Sequence, residues 1–270
     1  MEKVNLLTRK NLFMVKADKN LGQHFLKDKT VIEKICSDHH GLYDVIIEVG
    51  PGPGALSKEL SKIGKPLYFI EKDERFIEDL ELLTSKENIF HQDALEFNWE
   101  DFLTQNDLSD KKIWLVSNLP YNVGTILFVQ FLQISQIQFM TLMFQKEVGE
   151  KTFLRNIKNE MSGLLFLSLN YFQSKQLCKV LPGAFNPPPK VNSNVVSYIR
   201  KEQFDISIEE FSRLNNFTRT LFAQKRKQLS AALKKLGILE KVQEDGMIAP
   251  TLRAETLSYQ QVLRLYQFLK

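Results

Sequence analysis

The chain has 270 residues, of which 43% are hydrophobic and 25% charged, the balance of a soluble globular protein and not of a disordered, fibrous or membrane-bundle chain. No apolar run approaches the roughly 18 residues of a membrane span, and the first 20 residues have neither an apolar targeting core nor the acid-free character of a transit peptide, so the cytoplasm is the expected compartment. The formal charge of +4 is too small by itself to mark a nucleic-acid binder, but it is uneven: residues 1–20 carry a net +3, residues 200–235 a net +5, and the remainder is acidic. The two cysteines, Cys36 and Cys178, are far apart and lack metal-ligand spacing, which leaves neither a disulfide framework nor a metal site to expect.

A basic opening segment precedes the first apolar run. From about Asp44 to Arg200, short runs rich in Val, Ile and Phe alternate with helical patterns, as in a parallel sheet wrapped by helices. The runs are 44–49, 66–71, 88–93, 112–118, 138–144, 176–181 and 194–200. The last two flank Pro182 to Ser193, whose prolines forbid helix and predict a stiff loop joining an antiparallel pair at the sheet edge. Beyond Arg200, Leu229, Ala232, Leu233 and Leu236 fall at helical spacing, as do Val262, Leu265, Tyr266 and Leu269. The expectation is an α/β protein with a Rossmann-like sheet of about seven strands. A catalytic domain over 1–204, including the basic N-terminal extension, is followed by a small all-helical domain over 205–270.

The first strand runs into Glu48-Val49-Gly50-Pro51-Gly52-Pro53-Gly54. Glycines at this spacing let the backbone turn sharply and let a ligand approach where a side chain would clash. Glu71 closes the second strand 21 residues after Gly50, where a carboxylate can accept hydrogen bonds from a ribose diol. Asp93 closes the third and could take a cofactor adenine amino group. These features fit a nicotinamide cofactor and S-adenosylmethionine equally well.

Asn118-Leu119-Pro120-Tyr121, at the end of the fourth strand, resolves the ambiguity. The amino nitrogen of adenine is a poor nucleophile because its lone pair is delocalised into the ring, so a catalyst must hold its protons and favour pyramidal nitrogen. The Asn118 side-chain oxygen and the Leu119 carbonyl supply two acceptors, Pro120 fixes the turn, and Tyr121 can stack on an extracted base. No strong base is needed, because the nitrogen becomes acidic only once it gains the methyl group.

With these motifs in order, the chain resembles the ribosomal RNA adenine dimethyltransferases, which modify adenosines near the 3′ end of small-subunit RNA. Gly22-Gln23-His24-Phe25-Leu26 is similar to the family segment lying over the cofactor, Glu48 to Gly54 to its glycine loop, and Asn118 to Tyr121 to its catalytic tetrapeptide. Gln145 to Val148 and Phe185 to Ser193 also match. The resemblance implies S-adenosylmethionine as cofactor, contacted by His24, Leu26, Gly50, Glu71, Asp93 and Asn118, and implies that Phe185 stacks on the target adenine opposite Tyr121. It also implies a basic RNA-binding segment from Phe222 to Lys227, with Lys225, Arg226 and Lys227 on phosphates, and a terminal motif from Arg253 to Ser258. The implied partner is the small ribosomal subunit and its RNA, with a monomeric enzyme, no metal and no membrane.

Departures from the pattern are His24 for the commoner Asn, Gly124 for Ser, Gly149 for Ala, and Glu160-Met161-Ser162-Gly163 in place of a conserved loop sequence. Rival readings are a large-subunit RNA methyltransferase, whose tetrapeptide more often has Ile at the position of Leu119, a ribosome-assembly factor with dispensable catalysis, and a nicotinamide oxidoreductase. A DNA adenine methyltransferase would more often be acidic at Asn118.

Overall fold

The structure, a computed structural model, describes residues 17–18, 22–154, 160–224 and 227–269. Its strands are β1 (Phe25–Leu26), β2 (Val45–Val49), β3 (Leu67–Glu71), β4 (Ile89–His91), β5 (Ile113–Asn118), β6 (Ile137–Gln145), β7 (Phe172–Val180), β8 (Phe185–Asn186) and β9 (Ser193–Arg200). The helices are α1 (Lys29–Cys36), α2 (Ser57–Leu60), α3 (Ile77–Leu80), α4 (Trp99–Gln105), α5 (Gly124–Leu132), α6 (Lys146–Gly149), α7 (Gly163–Tyr171), α8 (Phe211–Leu221), α9 (Leu229–Lys235), α10 (Leu239–Asp245) and α11 (Tyr259–Gln267).

Seven strands form one sheet in the order β4-β3-β2-β5-β6-β9-β7, and β1 and β8 form a separate two-stranded ribbon. β4, β3, β2, β5 and β6 are mutually parallel, whereas β9 runs antiparallel to both β6 and β7. Every residue of β2 and β3 is buried, which explains why both read as apolar runs broken only by Glu48 and Glu71: helices cover the two faces of the sheet. Alternate residues supply the two cores. Ile47, Val49 and Leu115 face a cluster with α5 and α7, while Ile46, Trp114 and Val116 face one with α1 and α2.

The antiparallel edge pair agrees with the sequence reading, but β7 begins at Phe172, four residues before the apolar run. Pairing decides its start, since Phe172 lies opposite Arg200 and the residues between, Gln173 to Lys175, are polar on a partly exposed edge. Buried Arg200 donates from Nε to the Ile137 carbonyl at 2.7 Å and from a terminal nitrogen to the Ile134 carbonyl at 2.7 Å, satisfying the turn after α5. The loop from Pro182 to Ser193 is also less irregular than expected, because β8 within it pairs with β1.

Helices α8 to α11 follow the sheet, and Leu214, Leu229, Leu233, Val262 and Leu265 continue the same apolar cluster that contains Leu165 and Phe166 of α7. Phe166 and Tyr259 stack with ring centroids 4.9 Å apart. The atypical Glu160–Gly163 segment contributes to this junction: the Met161 N–H donates to the Glu255 carbonyl at 2.9 Å, and Ser162 caps α7 by accepting from Leu165 N. The basic opening segment up to residue 16 lies outside the described residues, as do Lys225 and Arg226.

Candidate active site

The parallel order β4-β3-β2-β5 sets Asp93, Glu71, Gly50 and Asn118 side by side along the carboxyl edge of the sheet. The connection leaving β2 runs to β3 on one side and that leaving β5 runs to β6 on the other, so a crevice opens at the strand ends between them. It is a cavity of about 180 Å³ whose walls include His24, Leu26, Glu48, Gly50, Glu71, Lys72, Asp93 and Asn118 to Tyr121. All six residues assigned to the cofactor by resemblance therefore meet in one place.

Gly50 adopts φ +68° and its N–H donates to the Ile70 carbonyl at 2.9 Å. A Cβ built there would meet nothing within 4 Å, so it would project into the open crevice. Gly52, at φ +53°, donates from its N–H to Glu71 Oε2 at 2.8 Å. Glu71 Oε1 accepts the Asp73 N–H at 2.7 Å. Only 5% exposed, Glu71 thus clamps the glycine loop to the end of β3. Burial raises its carboxyl above the usual range, against the opposing effect of the two N–H donors.

Glu48 is 2% exposed and accepts the Ser57 hydroxyl at 2.6 Å through Oε2. Burial pushes its carboxyl up to about 8, opposed by the Ser57 hydrogen bond and helped by the charge on Glu71. Asp93 is placed differently. Its Oδ2 meets Lys72 Nζ at 2.7 Å, and its Oδ1 accepts the Leu95 N–H at 2.9 Å. Partial burial works to raise the Asp93 carboxyl, but Lys72 and the Leu95 N–H outweigh it and hold it below the usual range.

At the other end of the crevice, Ser117 donates its hydroxyl to the Val49 carbonyl at 2.6 Å, locking β5 to β2 immediately before the tetrapeptide. Asn118 Nδ2 donates to the His24 carbonyl at 2.9 Å. A carbonyl can only accept, so this bond fixes which end of the amide is which and leaves Oδ1 as an acceptor without a protein partner among the described residues. The Leu119 side chain is buried, and the Pro120 carbonyl accepts the Gly124 N–H at 2.9 Å to start α5. Tyr121 is half-buried, its hydroxyl 2.6 Å from Ser193 Oγ and its ring centroid 5.2 Å from that of His24. Gly124 explains one departure: a Cβ there would stand 3.3 Å from Leu119 Cβ.

A strap from Gly22 to Lys27 crosses the crevice. Gln23 Nε2 donates to Asp73 Oδ2 at 2.7 Å, His24 Nδ1 is 2.8 Å from the Pro187 carbonyl, and the Lys27 N–H donates to the Ala184 carbonyl at 2.8 Å. These tethers join the Glu71 side of the crevice to the proline loop. Glu48, Lys72 and the Gln23–Asp73 link were not singled out in the sequence; the first two could have been, as neighbours of Val49 and Glu71, but the third spans 50 positions and has no local signature.

Phe185 is the residue the structure does not bring to the crevice. It is 1% exposed, sits opposite Leu26 in the β1–β8 ribbon, and packs in the apolar cluster of α1. Ring burial at the ribbon satisfies the apolar side chain there, so in this conformation the aromatic neighbour of Tyr121 is His24. Lys227 is exposed between α8 and α9. Among the described residues, no cluster of His, Cys, Asp and Glu could hold a metal ion, and no helix is long and apolar enough to cross a membrane.

A seven-stranded Rossmann-like sheet with an acidic residue closing β3 and Asn-Leu-Pro-Tyr closing β5 defines a methyltransferase. The ribosomal RNA adenine dimethylase profile matches residues 14–270. A ribosomal RNA small subunit methyltransferase A from Campylobacter jejuni (strain RM1221) is 36% identical, over 95% of this chain and 96% of its own length. One from Sulfurihydrogenibium sp. is 33% identical over 93% and 96%. The fold is shared with a dimethyladenosine transferase from Plasmodium falciparum, at TM-score 0.68 and 24% identity over 90% of this chain and 96% of that one, and with the 23S rRNA methyltransferase ErmE, at TM-score 0.65 and 21% identity over 91% and 99%. The chain belongs to the ribosomal RNA adenine dimethylase family.

Proposed function

We propose that this enzyme transfers methyl groups from S-adenosylmethionine to N6 of adenosines near the 3′ end of small-subunit ribosomal RNA, two adjacent adenosines each becoming dimethylated, as a step in subunit biogenesis. The observation that carries the chemistry is the locked amide of Asn118, whose Oδ1 is left to receive a donor in the crevice. The substrate rests on the relatives, which are named for the small subunit and match nearly end to end. The 23S enzyme shares the architecture at 21% identity and speaks only for the fold.

The crevice suits the cofactor: Gly50 leaves room where a Cβ would intrude, and the carboxylates of Glu71 and Asp93 keep lone pairs for ribose hydroxyls and an adenine amino group. His24 and Leu26, on the strap, would close over it. When bound, S-adenosylmethionine supplies an electrophilic methyl group and the driving force for transfer. Asn118 Oδ1 and the Leu119 carbonyl would hold the two N–H bonds of the target amino group, turning its lone pair out of conjugation. With Asn118 held by the strap before reaction, its alignment would cost little reorganisation as positive charge develops on nitrogen. The acidified N–H would then lose its proton to water, with these oxygens acting only as hydrogen-bond acceptors. Tyr121, held by Ser193, offers a face for the extruded base.

In this reading residues 1–204 carry catalysis and 205–270 bind RNA, with Lys225, Arg226 and Lys227 on phosphates. Calorimetric titration should show binding of S-adenosylmethionine and none of NAD. Labelled methyl should appear in under-methylated small subunits, with large subunits and DNA as controls. Equal labelling of the large subunit would refute the substrate assignment.

A further inference from the structure

Resting on that reading, we infer that Lys27, Lys29, Lys146, Lys179 and Lys190 form a collar around the proline loop that grips the RNA phosphates flanking the extruded adenosine. The five residues are scattered over 164 positions of sequence but are tied to one segment, residues 184–194. The Lys27 N–H donates to the Ala184 carbonyl at 2.8 Å, and Lys29 follows two residues later as the first residue of α1. Across the loop, the Lys146 N–H donates to the Asn192 carbonyl at 2.8 Å. Lys179 lies opposite Asn194 in the β7–β9 ladder, near the upper end of the edge strand, and Lys190 belongs to the loop itself. Strand directions place Lys146 and Lys179 at the carboxyl edge of the sheet, because β6 and β7 end there and β9 begins there, and the β1–β8 ribbon and the loop after it bring Lys27, Lys29 and Lys190 to the same segment.

All five side chains are exposed. None has an ion-pair partner among the described residues, which is true of most lysines here, so it is their grouping at one edge that marks them. The nearby acids are fewer. Asp28 accepts the Val31 N–H as the cap of α1, and on α6 and the residue after it stand Glu147 and Glu150. Unpaired ammonium groups crowded on one rim repel each other, and an array of this kind is stabilised when a polyanion supplies the counter-charge. The surface between them, Pro187, Pro188 and Val191, is exposed and weakly polar, which suits sugar faces between phosphates. Extruding a base costs a few kcal/mol, and a protein that anchors the backbone on both sides of the nucleotide offsets that cost with contacts that carry no sequence information. The collar lies beside the crevice, whereas Lys227 stands between α8 and α9.

The test uses the full chain and purified small subunits lacking the methyl groups. Lys27→Gln, Lys179→Gln and Lys190→Gln are combined, and compared with a control of equal charge change, Lys65→Gln, Lys111→Gln and Lys112→Gln, which precede β3 and β5 at the opposite edge of the sheet. Binding is measured over a range of salt, with cofactor affinity and thermal midpoint alongside. The collar variant should bind the subunit about 10-fold more weakly near physiological salt, with the slope of log affinity against log salt reduced by roughly 2, at about 0.7 per single-stranded phosphate contact. Cofactor affinity and midpoint should match wild type, and the control should bind like wild type. An unchanged slope, or an equal loss in the control, overturns the collar. A wild-type chain that binds the subunit but transfers no methyl overturns the proposed function, and the collar comparison is still read from binding.

Discussion

Replacing Asn118 by Ala removes two things at once. One is the acceptor Oδ1 aimed at the target amino group; the other is the 2.9 Å hydrogen bond from Nδ2 to the His24 carbonyl. Loss of a preorganised polar group at developing charge costs roughly 10²–10³ in rate. Loss of a partly buried neutral hydrogen bond is worth about 0.5–1.5 kcal/mol, or about 2- to 12-fold in cofactor affinity if the strap loosens. Asn118→Asp separates the two effects. It keeps an acceptor toward the substrate but sets an anionic oxygen against the His24 carbonyl, so it should weaken cofactor binding at least as much as Ala while losing less rate. The assay is single-turnover transfer of labelled methyl to under-methylated small subunits at saturating cofactor, with affinity measured separately by calorimetry. An Ala variant within about threefold of the wild-type rate would refute the account, since nothing else in the tetrapeptide can replace a side-chain acceptor at that point.

Phe185→Ala should cost about 3–5 kcal/mol in denaturant unfolding, as for other buried aromatics, while Phe185→Leu should keep most of the packing and most of the activity; loss of RNA engagement in a stably folded Leu variant would instead support the stacking role. Gly50→Ala and Gly64→Ala should each lose about 1–2 kcal/mol from a non-glycine residue in left-handed backbone, both having positive φ and open space at Cβ, but only Gly50→Ala should lose cofactor affinity by calorimetry. For Glu48 the folded-state value near 8 lies above the ordinary carboxyl value of 4.5. Between those limits the folded state binds more protons than the unfolded state, so this group makes stability fall as pH rises from about 4.5 to about 8. Glu48→Gln should flatten that part of the pH–stability curve and gain on the order of a few kcal/mol at the alkaline end; a curve parallel to wild type would exclude Glu48 as the titrating group.

The sheet was legible because its strands are covered on both faces and therefore appear as apolar runs, and because the residues at its carboxyl edge follow a glycine turn, an acid and a proline turn with strong local signatures. Glu71, Asp93 and Asn118 could be placed at one edge from strand ends alone. The strap could not. Its two strand residues, Phe25 and Leu26, form β1 only because Asn186 and Phe185 lie opposite them, a pairing across about 160 positions of sequence that no local pattern encodes. The same ribbon accounts for Phe185: its motif points to a base contact, whereas its burial depends on Leu26 and the α1 cluster, which become neighbours only in the folded chain. The start of β7 was missed for a related reason, since edge strands carry polar residues and are defined by their partner, here β9.

If this active site dimethylates N6 of adenosine in small-subunit RNA, nucleoside mass spectrometry of the product will show it. Small subunits from a strain lacking the modification are incubated with the full chain and S-adenosylmethionine, then the RNA is cleaved into fragments and digested to nucleosides. The account predicts N6,N6-dimethyladenosine confined to a fragment near the 3′ end of the small-subunit RNA, absent from large-subunit RNA treated in parallel and absent when Asn118→Ala is used. Dimethyladenosine in the large-subunit RNA, or methyl groups on small-subunit nucleosides other than adenosine, would contradict it.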